Sequence, residues 1–563
     1  MDLSAERPWL RSYASGVPAT VTPSDESLVD LLRDAARRFG PRVALDFFGA
    51  TTTYAGLADQ VGRAAEALRR LGVARGDRVA LVLPNCPQHV VAFYAVLRLG
   101  AVVVEHNPLY TPQELTQQLA DHGARVAVVW DKVAPLVQGA VGATAVETVL
   151  AVDLTRALPR RKRWALRLPL ARARATRAAM TAPAPGALSW ERTVAAVGPL
   201  DAAHPAPGPD DTALLQYTGG TTGTPKGAIL THRNLRTNAA QGRAWVPGLR
   251  DGEETVYAVL PLFHAYGLTL CLTFSVGIGA TLVLFPRFDL DQTLEAVRRR
   301  PPTFLPAVPP IYEKLATAAR ERGIDLSSAR YAISGAMALP PATVELWESV
   351  TGGLLVEGYG MTETSPVALG NPVSPARRPG TVGVPFPSTD IRIVDPEDPA
   401  RERAPGEAGE LLIRGPQVFT GYWNRPAETA AALLPGGWLR TGDVVVADAD
   451  GFVSVVDRIK ELIITGGFNV YPSEVEDALR HVPGIRDAAV VGLPGAHGGE
   501  EVVAAVVPDE GAVPDEADVR AACRRHLAGY KVPRRVVVVE DLPRSQIGKV
   551  LRREVRDRLL ADG

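Results

Sequence analysis

Short runs rich in β-branched residues alternate with amphipathic stretches through most of the chain up to about residue 460. The runs have the length and composition of buried strands. They are residues 78–85, 125–130, 256–263, 280–285 and 354–360. Ahead of the first run, residues 57–72 place leucine, valine and alanine on one helical stripe and end at Gly72. Strands that alternate with helices in this way predict an α/β fold with largely parallel sheets.

The sequence pattern changes twice after about residue 390, and each change predicts a further structural unit. Residues 390–395 and 409–415 are typical of antiparallel strands and predict a barrel-like subdomain. From about Glu461 the pattern predicts a compact α+β unit, with helices and strands at 473–482, 487–494, 501–508, 515–528 and 536–543. We therefore predict a large N-terminal domain over residues 1–459, which carries the α/β sheets and the barrel-like subdomain. A small mobile α+β C-terminal domain is predicted over residues 460–563.

Charge and cysteine content exclude some classes of protein. The chain has 61 basic and 62 acidic residues, and a net charge of −1 gives it no bulk electrostatic reason to bind nucleic acid. Its three cysteines, Cys86, Cys271 and Cys523, lie far apart and without metal-site spacing. The first sixteen residues lack the apolar core of a signal peptide. A reduced, cytoplasmic compartment is the expectation.

Residues 265–286 carry no charge and are nominally long enough to span a bilayer. Three glycines and several hydroxyl side chains interrupt the apolar run, which breaks at Gly277-Ile278-Gly279. The pattern therefore favours a buried helix that leads into a strand over a transmembrane span.

Residues 156–177 carry nine basic residues and no acidic residue. Apolar side chains are interleaved with them at Trp164, Leu166, Leu168 and Leu170. Two interpretations stay open: a solvated surface segment, or a patch that rests on anionic lipid at the inner face of the membrane. Pro159 and Pro169 argue against one long amphipathic helix.

A cluster of glycines and threonines follows the apolar residues 212–217. Four glycines, four threonines, one proline and Lys226 lie between Gln216 and Ala228. Glycine costs backbone entropy, so the cluster needs a local reason. Successive glycine N–H groups can form a concave nest for an anion, and the threonine hydroxyls add donors. No Walker A pattern can be drawn through these residues, but they predict a phosphate-binding loop.

Lysine is scarce in this chain. Only seven of the 61 basic residues are lysines, and three of them, Lys226, Lys460 and Lys549, fall in segments with other functional signals. Because arginine holds almost every other cationic position, a retained lysine suggests that a compact, mobile point charge is wanted there.

The segment YTGGTTGTPKG, residues 217–227, resembles the phosphate loop of the adenylate-forming superfamily, which includes acyl-CoA synthetases. Five further segments resemble that family in the expected order: PLFHAYG, EGYGMTET, TGD, DRIKELIITGGFNVYPSEVE and PRSQIGKVLRR. YTGG and GFNVYPSEVE look most like the long-chain fatty acid CoA ligases, whereas aryl-CoA ligases typically have SSG in place of TGG. The resemblance implies an ATP-dependent fatty acyl-CoA synthetase that forms acyl-AMP and releases AMP and pyrophosphate.

The resemblance also implies a set of ATP contacts. The β- and γ-phosphates would be held by Thr218, Gly219, Gly220, Thr221, Thr222, Gly223 and Lys226. Tyr359 would stack on adenine, Thr362 would contact the α-phosphate, and Glu363, with Thr218, would ligate Mg²⁺. Asp443 would accept from the ribose hydroxyls, and Arg458 would reach the ribose or a phosphate. Gly358 and Gly360 would allow close backbone approach to the nucleotide, and Gly335, Ala336 and Met361 would also belong to its binding site.

Four further positions are implied for the acyl group, for coenzyme A and for a change of arrangement. His264 would act at the acyl carboxylate or gate its pocket, and the apolar segment after it would line an acyl tunnel with residues 334–336. Lys549 would enter the active site and neutralise charge between the carboxylate and the α-phosphate. Lys460 would be the hinge of the C-terminal domain, and Gly466 and Gly467 would approach the pantetheine arm of CoA.

Other functions stay open. One is a fatty acyl-AMP ligase that loads a carrier protein, and another is a CoA ligase for aryl or medium-chain acids. A catalytically silent homologue that binds acyl groups or nucleotides at membranes is a third. The silent homologue is disfavoured because the chain keeps Lys226, Glu363, Asp443, Arg458 and Lys549.

Overall fold

The computed structural model describes residues 7–218, 225–465, 468–495, 500–545 and 548–561. Within them, the predicted alternation builds two sheets whose central strands are parallel. The first has nine described strands, in the spatial order Val384–Pro385, Val367–Gly370, Leu354–Gly360, Tyr331–Ser334, Phe304–Ala307, Thr255–Ala258, Thr281–Leu284, Val43–Phe47 and Ala50–Thr53. Pairing is parallel from Leu354–Gly360 to Val43–Phe47 and antiparallel at both edges.

The second sheet carries the strand that leads into the predicted phosphate loop. Its described strands follow the order Gly421–Tyr422, Lys226–Thr231, Thr212–Thr218, Val102–Glu105, Arg78–Val82, Val126–Trp130, Thr148–Val152 and Leu188–Ser189. Thr212–Thr218 is parallel to Val102–Glu105 but pairs antiparallel with Lys226–Thr231. The predicted loop therefore connects two neighbouring strands at one edge of the sheet.

Helices cover the two sheets and share one large hydrophobic core with them. They are Leu28–Phe39, Tyr54–Arg70, Pro87–Arg98, Pro112–His122, Ala134–Gly139, Arg160–Ala165, Ala171–Met180, Trp190–Ala195, His232–Trp245, Leu290–Arg299, Pro309–Arg322, Pro341–Thr351 and Pro426–Ala432. Side-chain caps determine where several of these helices begin. Ser27, Thr111 and Thr231 each accept from the third backbone N–H of the helix that follows, and the third residue returns the bond.

The apolar residues 265–286 form a buried helix and then a strand, as the sequence predicts. Helical backbone runs from Ala265 to Ile278, with a π-helical stretch at Leu268–Thr273, and ends at Gly279 in the left-handed region (φ 68°). A Cβ at Gly279 would lie 2.2 Å from the ring of Phe39. Across the described ranges, no helix is both long and apolar enough to cross a membrane.

The predicted antiparallel subdomain is confirmed as a sheet that packs beside the first two. Asp390–Val394 pairs with Gly409–Arg414, which pairs with Trp438–Ala447, and that strand also pairs with Leu433–Leu434 and Val453–Arg458. Its long strand Trp438–Ala447 carries Asp443, and its last strand ends at Arg458. The sheet therefore leads the chain directly to the residues predicted as a hinge.

The final part of the chain has its own core. A three-stranded sheet of Ile485–Pro494, Glu500–Pro508 and Arg535–Val538 packs with the helices Pro472–Arg480, Glu516–Cys523 and Arg552–Ala561. The short strands Ile463–Thr465 and Phe468–Val470 form a hairpin ahead of it. Alternate residues of the central strands point to opposite faces, and each face buries a separate apolar cluster. These two clusters contain only residues beyond 462, and the boundary after residue 459 stays a prediction.

Candidate active site

An open cleft with about 450 Å³ of empty space lies at the carboxyl ends of Tyr331–Ser334 and Leu354–Gly360. Ligands of open α/β sheets commonly bind at this edge. The cleft brings together residues that the sequence predicted from three separate segments. They are His264, Gly335, Ala336, Gly358, Tyr359, Gly360, Met361 and Thr362. The remaining lining includes Leu270, Ile333 and Val367, so the wall is largely apolar.

The turn after Tyr331–Ser334 is held in an unusual conformation. Ala336 has a φ of 66°, in the left-handed region that a residue with a side chain adopts at a cost of about 1 kcal/mol. A Cβ at Gly335 would lie 3.1 Å from the ring of Tyr266. The Tyr266 hydroxyl donates to the carbonyls of Ile333 and Ala307, at 2.7 and 3.2 Å. Strained backbone that is held in this way is common at ligand sites.

Gly358 and Gly360 lie at the end of their strand, as predicted. A Cβ at Gly360 would lie 1.8 Å from the carbonyl oxygen of Pro366, and one at Gly358 would lie 3.2 Å from Ile333. Met361 N donates to the same Pro366 oxygen at 3.0 Å. At Gly360, therefore, the chain itself makes the close approach, and the glycine is required by the fold.

Asp443 joins the cleft to the antiparallel sheet. The Tyr359 hydroxyl donates to Asp443 Oδ2 at 2.5 Å, and Arg458 Nε lies 3.0 Å from Oδ1. Asp443 and Arg458 are also direct partners across two antiparallel strands. Burial, reinforced by the neighbouring Asp443 carboxylate, raises the pKa of Tyr359 well above its usual range, so the hydroxyl stays protonated. Three predicted nucleotide residues from three segments thus form one hydrogen-bonded group.

Glu363 lies in the short turn Thr362–Thr364 that follows the cleft strand. Its side chain is buried, and its carboxyl Oε1 accepts from the Tyr422 hydroxyl at 2.6 Å. Burial raises the pKa of Glu363, and the hydrogen bond from Tyr422 opposes that shift. Sequence reasoning did not single out Tyr422. No local signal places it against a residue 59 positions earlier in the chain.

Lys226 begins the strand that leaves the predicted phosphate loop. It is the register partner of Thr218 across the two strands, and its Nζ lies 5.3 Å from the centre of the Tyr422 ring. Its strand also contacts the turn that holds Glu363. Five predicted phosphate-loop residues, Gly219, Gly220, Thr221, Thr222 and Gly223, lie outside the described residues.

Lys549 comes to this site from the far end of the chain. Ser545 N donates to Lys549 O at 2.8 Å, and the charges of Arg458, Glu461 and Asp443 act on the Lys549 ammonium. The backbone of Gly548 (φ 80°) lies against Met337, because a Cβ there would be 3.3 Å from its sulfur. Burial, with Arg458 nearby, lowers the pKa of Lys549 to about 8. Within the described ranges, no carboxylate lies within 4 Å of its ammonium.

The comparisons with known proteins agree with this geometry. Residues 32–423 match the model of the AMP-binding enzyme family, and residues 474–549 match the model of the AMP-binding enzyme C-terminal domain. The chain belongs to the AMP-binding enzyme family. It is 38% identical over 559 residues to a long-chain-fatty-acid–CoA ligase of Bacillus subtilis, with 98% of each chain covered. It is also 37% identical to a feruloyl-CoA synthase of an Amycolatopsis species, over 91% of this chain and 94% of that one.

Solved structures resemble this AMP-binding enzyme over nearly all of its length. The ATP-bound form of MatB from Rhodopseudomonas palustris is 31% identical, with a TM-score of 0.82 and coverage of 95% of this chain and 99% of that one. The apo form of the same protein has a TM-score of 0.71.

The predicted hinge Lys460 lies in the short 3₁₀ turn Ile459–Glu461 of the enzyme. An ion cluster surrounds this turn. Arg552 makes a two-pronged contact with Glu476, at 2.8 and 2.6 Å, and a further one with Glu461. Asp457, on the other side of the turn, accepts from Ser473 N at 2.8 Å and lies 3.8 Å from Arg552. Sequence reasoning missed Asp457 and Arg552. Gly466 and Gly467 lie outside the described residues.

His264 lines the cleft and also begins the helical run Ala265–Ile278. Its Nδ1 accepts from Tyr266 N at 3.3 Å, which places the ring proton on Nε2 when the imidazole is neutral. Burial lowers the pKa of His264 and so favours the neutral form. The residue therefore caps a helix and still presents a polar edge to the cleft.

A magnesium ion that accompanies nucleotide fits the donors of this enzyme. Glu363 supplies a hard carboxylate oxygen beside the strand that begins at Lys226, where the phosphates are predicted. The described residues contain no group of three or more histidine, cysteine, aspartate or glutamate side chains that could hold a metal by itself. Mg²⁺ usually binds through one or two carboxylates together with substrate phosphates. Glu363 is thus suited to a metal that arrives with ATP.

Proposed function

We propose that this enzyme is an ATP-dependent long-chain-fatty-acid–CoA ligase that acts through an acyl-AMP intermediate. The observation that carries the proposal is the position of the Lys549 turn. It brings an ammonium with no described carboxylate partner within range of the charges of Asp443 and Arg458, the two residues that join Tyr359 of the cleft wall. The resemblance of the chain to the Bacillus subtilis ligase supports the same reaction.

The reaction has two balanced steps. A carboxylate oxygen of the acid attacks the α-phosphorus of ATP, the bond to the β-phosphate oxygen breaks, and acyl-AMP and pyrophosphate form. The thiolate of CoA then attacks the acyl carbon, the bond to the AMP phosphate oxygen breaks, and acyl-CoA and AMP leave. Negative charge gathers near the α-phosphate in the first step, where a positioned cation is most effective.

The residues of the chain divide this work. Asp443 holds the ribose, with Tyr359 and Arg458 keeping its carboxylate in place. Lys226 and the phosphate loop bind the β- and γ-phosphates. Glu363 would hold a Mg²⁺ ion that accompanies them, and the ion would supply positive charge against the phosphates. Lys549 neutralises charge between the carboxylate and the α-phosphate, and His264 orients the acyl carboxylate.

The apolar wall of the cleft suits an aliphatic tail. Leu270, Ile333 and Val367 line it, and the helical run behind it, Ala265–Ile278, is almost wholly buried. Burying one methylene stabilises a complex by about 0.8 kcal/mol. Each further pair of methylenes that reaches this wall therefore strengthens binding about tenfold.

A small C-terminal domain, residues 460–563, is proposed to turn about Lys460 between the two steps. Lys549 is proposed to act at the cleft in the first step. The hairpin that carries Gly466 and Gly467 is proposed to replace it for the second step and to approach the pantetheine arm. Two separate apolar clusters let this domain move as a unit.

The test is mass spectrometry of the products that the purified chain forms from ATP, Mg²⁺ and a mixture of short-chain, long-chain and aryl acids. It is run with and without CoA. We expect acyl-CoA only in the presence of CoA, weighted toward long chains. Acyl-AMP that accumulates and ignores CoA would instead support a ligase that loads a carrier protein. A product formed mainly from aryl acids would support the aryl alternative, and no product would contradict the proposal.

The basic segment, residues 156–177, is proposed to rest on anionic lipid, the surface from which long-chain acids are drawn. It forms the helices Arg160–Ala165 and Ala171–Met180, neither of which has a buried residue. Trp164 is 65% exposed and Leu170 59% exposed. Seven of its arginines have no carboxylate within 4 Å in the described ranges: Arg160, Arg161, Arg163, Arg167, Arg172, Arg174 and Arg177. Unpaired cations beside an exposed indole suit a lipid surface.

Liposome co-sedimentation tests this contact. Changing Arg160, Arg161, Lys162 and Arg163 to glutamine should abolish binding to vesicles that contain phosphatidylserine. The matched control changes four other exposed arginines, Arg524, Arg525, Arg534 and Arg535, and should leave binding intact. Equal binding by both variants would contradict the proposal.

A further inference from the structure

Two groups of opposite charge contact the same tyrosine in this enzyme. Glu363 is buried in the turn Thr362–Thr364, and Lys226 begins the strand Lys226–Thr231 that contacts the same turn. No ion pair joins them in the described part of the chain, where the shortest pairs of other residues reach well below 3 Å. Tyr422 contacts both groups.

The contacts of Tyr422 differ in kind. Its hydroxyl donates to Glu363 Oε1 at 2.6 Å, a short bond typical of a charged acceptor. Its ring lies 5.3 Å from the Lys226 ammonium, within the range of a cation–π interaction. The hydroxyl therefore fixes the carboxylate, and the face of the ring offers the ammonium an alternative to that carboxylate.

A strand, a helix and the turn of Glu363 hold Tyr422 in place, the last of them through its neighbour Phe419. It is paired with Ala228 in the antiparallel strand next to it, two residues after Lys226. Its N–H donates to Thr429 Oγ1 at 2.9 Å, in the helix Pro426–Ala432. The Phe419 N–H donates to the Glu363 carbonyl at 2.8 Å, and the Phe419 ring packs edge-on against Tyr422, with centroids 4.8 Å apart. The tyrosine is thus held to the same turn and strand as the two charged groups.

We propose that Tyr422 is a positioning residue that holds Glu363 and Lys226 apart, each ready for its own part of ATP·Mg²⁺. The proposal rests on the proposed function, because it takes Glu363 as the carboxylate that meets Mg²⁺ and Lys226 as a phosphate ligand. Opposite charges in a partly buried site attract strongly at short range. Without Tyr422, the ammonium and the carboxylate would pair, and both would have to separate again before nucleotide could bind.

The proposal predicts different effects for loss of the Tyr422 hydroxyl and for loss of its ring. Tyr422→Phe removes only the hydroxyl, so it frees the carboxylate but keeps the ring under Lys226. Tyr422→Phe should weaken ATP binding only when Mg²⁺ is present. Tyr422→Leu removes the ring as well, so it should weaken ATP binding whether or not Mg²⁺ is present.

Calorimetric titration with ATP, once in Mg²⁺ and once in EDTA, measures both effects without turnover. Hydrogen bonds to charged groups contribute enough to predict about tenfold weaker ATP binding in Mg²⁺ for Tyr422→Phe. In EDTA its affinity should stay within about twofold of the parent chain. Tyr422→Leu should bind ATP more weakly under both conditions.

The matched control is Tyr13→Phe. Tyr13 donates to the Pro385 carbonyl at 2.6 Å, so this variant also loses a tyrosine hydrogen bond, but away from the cleft. It should bind ATP as the parent does, and thermal unfolding of both variants reports any general loss of stability. Equal weakening by Tyr422→Phe in Mg²⁺ and in EDTA, or no weakening, would overturn the proposal. A parent chain that binds no ATP would instead overturn the proposed function.

Discussion

The two sides of the cleft hold their charged groups in different ways. On the sheet side, Asp443 and Glu363 each accept a tyrosine hydroxyl, at 2.5 and 2.6 Å, and Arg458 pairs with Asp443. On the other side, the Lys549 carbonyl accepts from Ser545 N, but the Lys549 ammonium has no carboxylate partner within 4 Å in the described ranges. On the proposed function, the groups that bind nucleotide in both steps are positioned in advance, whereas the group that acts in one step has no strong partner.

The difference follows from what each side must do. A fixed hydrogen-bonded group needs no reorganisation when ATP binds, and the end of a sheet provides such fixed positions for the nucleotide ligands. A group that leaves after the first step would have to break any strong partner bond, and that cost would slow every turnover. The low pKa of Lys549, about 8, reflects this arrangement, because burial without a close anion disfavours its charge.

The largest effect is expected from Lys549→Ala. Loss of one charge-stabilising group commonly lowers a rate by about a hundredfold to a thousandfold, and acyl-AMP formation should fall by at least that factor. Conversion of preformed acyl-AMP and CoA to acyl-CoA should stay within about twofold, because Lys549 is proposed to act only in the first step. Pyrophosphate exchange measures the first half-reaction, and a thiol assay measures the second.

The control for this variant is Lys531→Ala. Lys531 pairs with Glu474 at 2.6 Å within the C-terminal part of the chain, so its removal should change neither half-reaction. If Lys549→Ala lowered both half-reactions equally, Lys549 would belong with the groups that act in both steps, and the contrast between the two sides would be wrong.

A smaller effect is expected from pH. Lys549 must be protonated to neutralise charge, so kcat/KM for acyl-AMP formation should be constant below about pH 8 and fall as pH rises through about 8. Arginine stays protonated throughout this range. Lys549→Arg should therefore have a lower maximum rate, and the falling limb near pH 8 should disappear. The pH profile of both chains is the measurement, and an unchanged limb in Lys549→Arg would assign the titration to another group.

A several-fold effect is expected at the proposed hinge. Asp457 precedes the turn at Lys460 and contacts Ser473 and Arg552 beyond it, so both contacts would break if the C-terminal domain turned. Asp457→Asn keeps the shape but removes the charge that faces Arg552. The loss of about one charged contact should lower acyl-AMP formation about fivefold and leave the second half-reaction unchanged or faster.

The ratio of the two half-reactions is the measurement for Asp457→Asn, since a simple loss of stability would lower both. Glu474→Gln, which removes a carboxylate from an ion pair within the C-terminal part, is the matched control and should keep the ratio. An unchanged ratio in Asp457→Asn would show that Asp457 does not favour the present arrangement.

Sequence reasoning reached the parts of the site that lie within continuous motifs. The segment 357–364 predicted Tyr359 and Glu363 together, and the structure places both beside the cleft, because a strand and its following turn keep neighbouring residues together. The α/β alternation and the antiparallel pair 390–395 and 409–415 followed from the same kind of local pattern. The order of strands in each sheet did not, since it depends on contacts between distant segments.

Partners across long sequence separations could not be predicted for the same reason. Tyr422 meets Glu363 only because its strand joins the edge of the second sheet. Arg552 lies 3.8 Å from Asp457, a residue 95 positions earlier that precedes the predicted hinge. The close contact that requires glycine at position 360 could not be predicted either, since the Pro366 carbonyl approaches it only after the chain has turned back. The assigned roles of the site residues toward ATP, Mg²⁺ and CoA stay predictions.

The smallest effect on activity and a clear effect on stability are expected from mild acid. Three buried histidines of the larger part of the chain, His106, His122 and His232, have lowered pKa values because burial disfavours their charge. The pKa values of His106 and His232 fall to about 4, against about 6.5 in the unfolded chain. The unfolded state therefore binds more protons below pH 6.5. Stability is complete above that pH and is lost as pH falls toward 4, by about 2 kcal/mol for each of these two histidines at pH 5.

Hydrogen bonds explain why these rings stay neutral. His122 Nδ1 accepts from Ala124 N at 3.1 Å, so its Nε2 carries the proton and donates to His106 Nε2 at 3.0 Å. His106 Nδ1 then donates to Gln118 Oε1 at 2.9 Å. Protonation of either ring would set two N–H groups against each other. The two rings are therefore held in place within the second sheet, where they pack against Tyr217, the first residue of the phosphate-loop segment.

Urea unfolding followed by tryptophan emission at pH 7.5 and pH 5.0 measures the effect. All eight tryptophans precede residue 460, so the signal reports the larger part of the chain. The urea midpoint should fall at pH 5.0, and the fall should be smaller in a chain with His106→Gln and His122→Gln. His481→Gln with His526→Gln, at two exposed positions of the C-terminal part, should leave the fall unchanged. A fall of equal size in all three chains would mean that acid acts on groups other than the buried histidines of the sheet side.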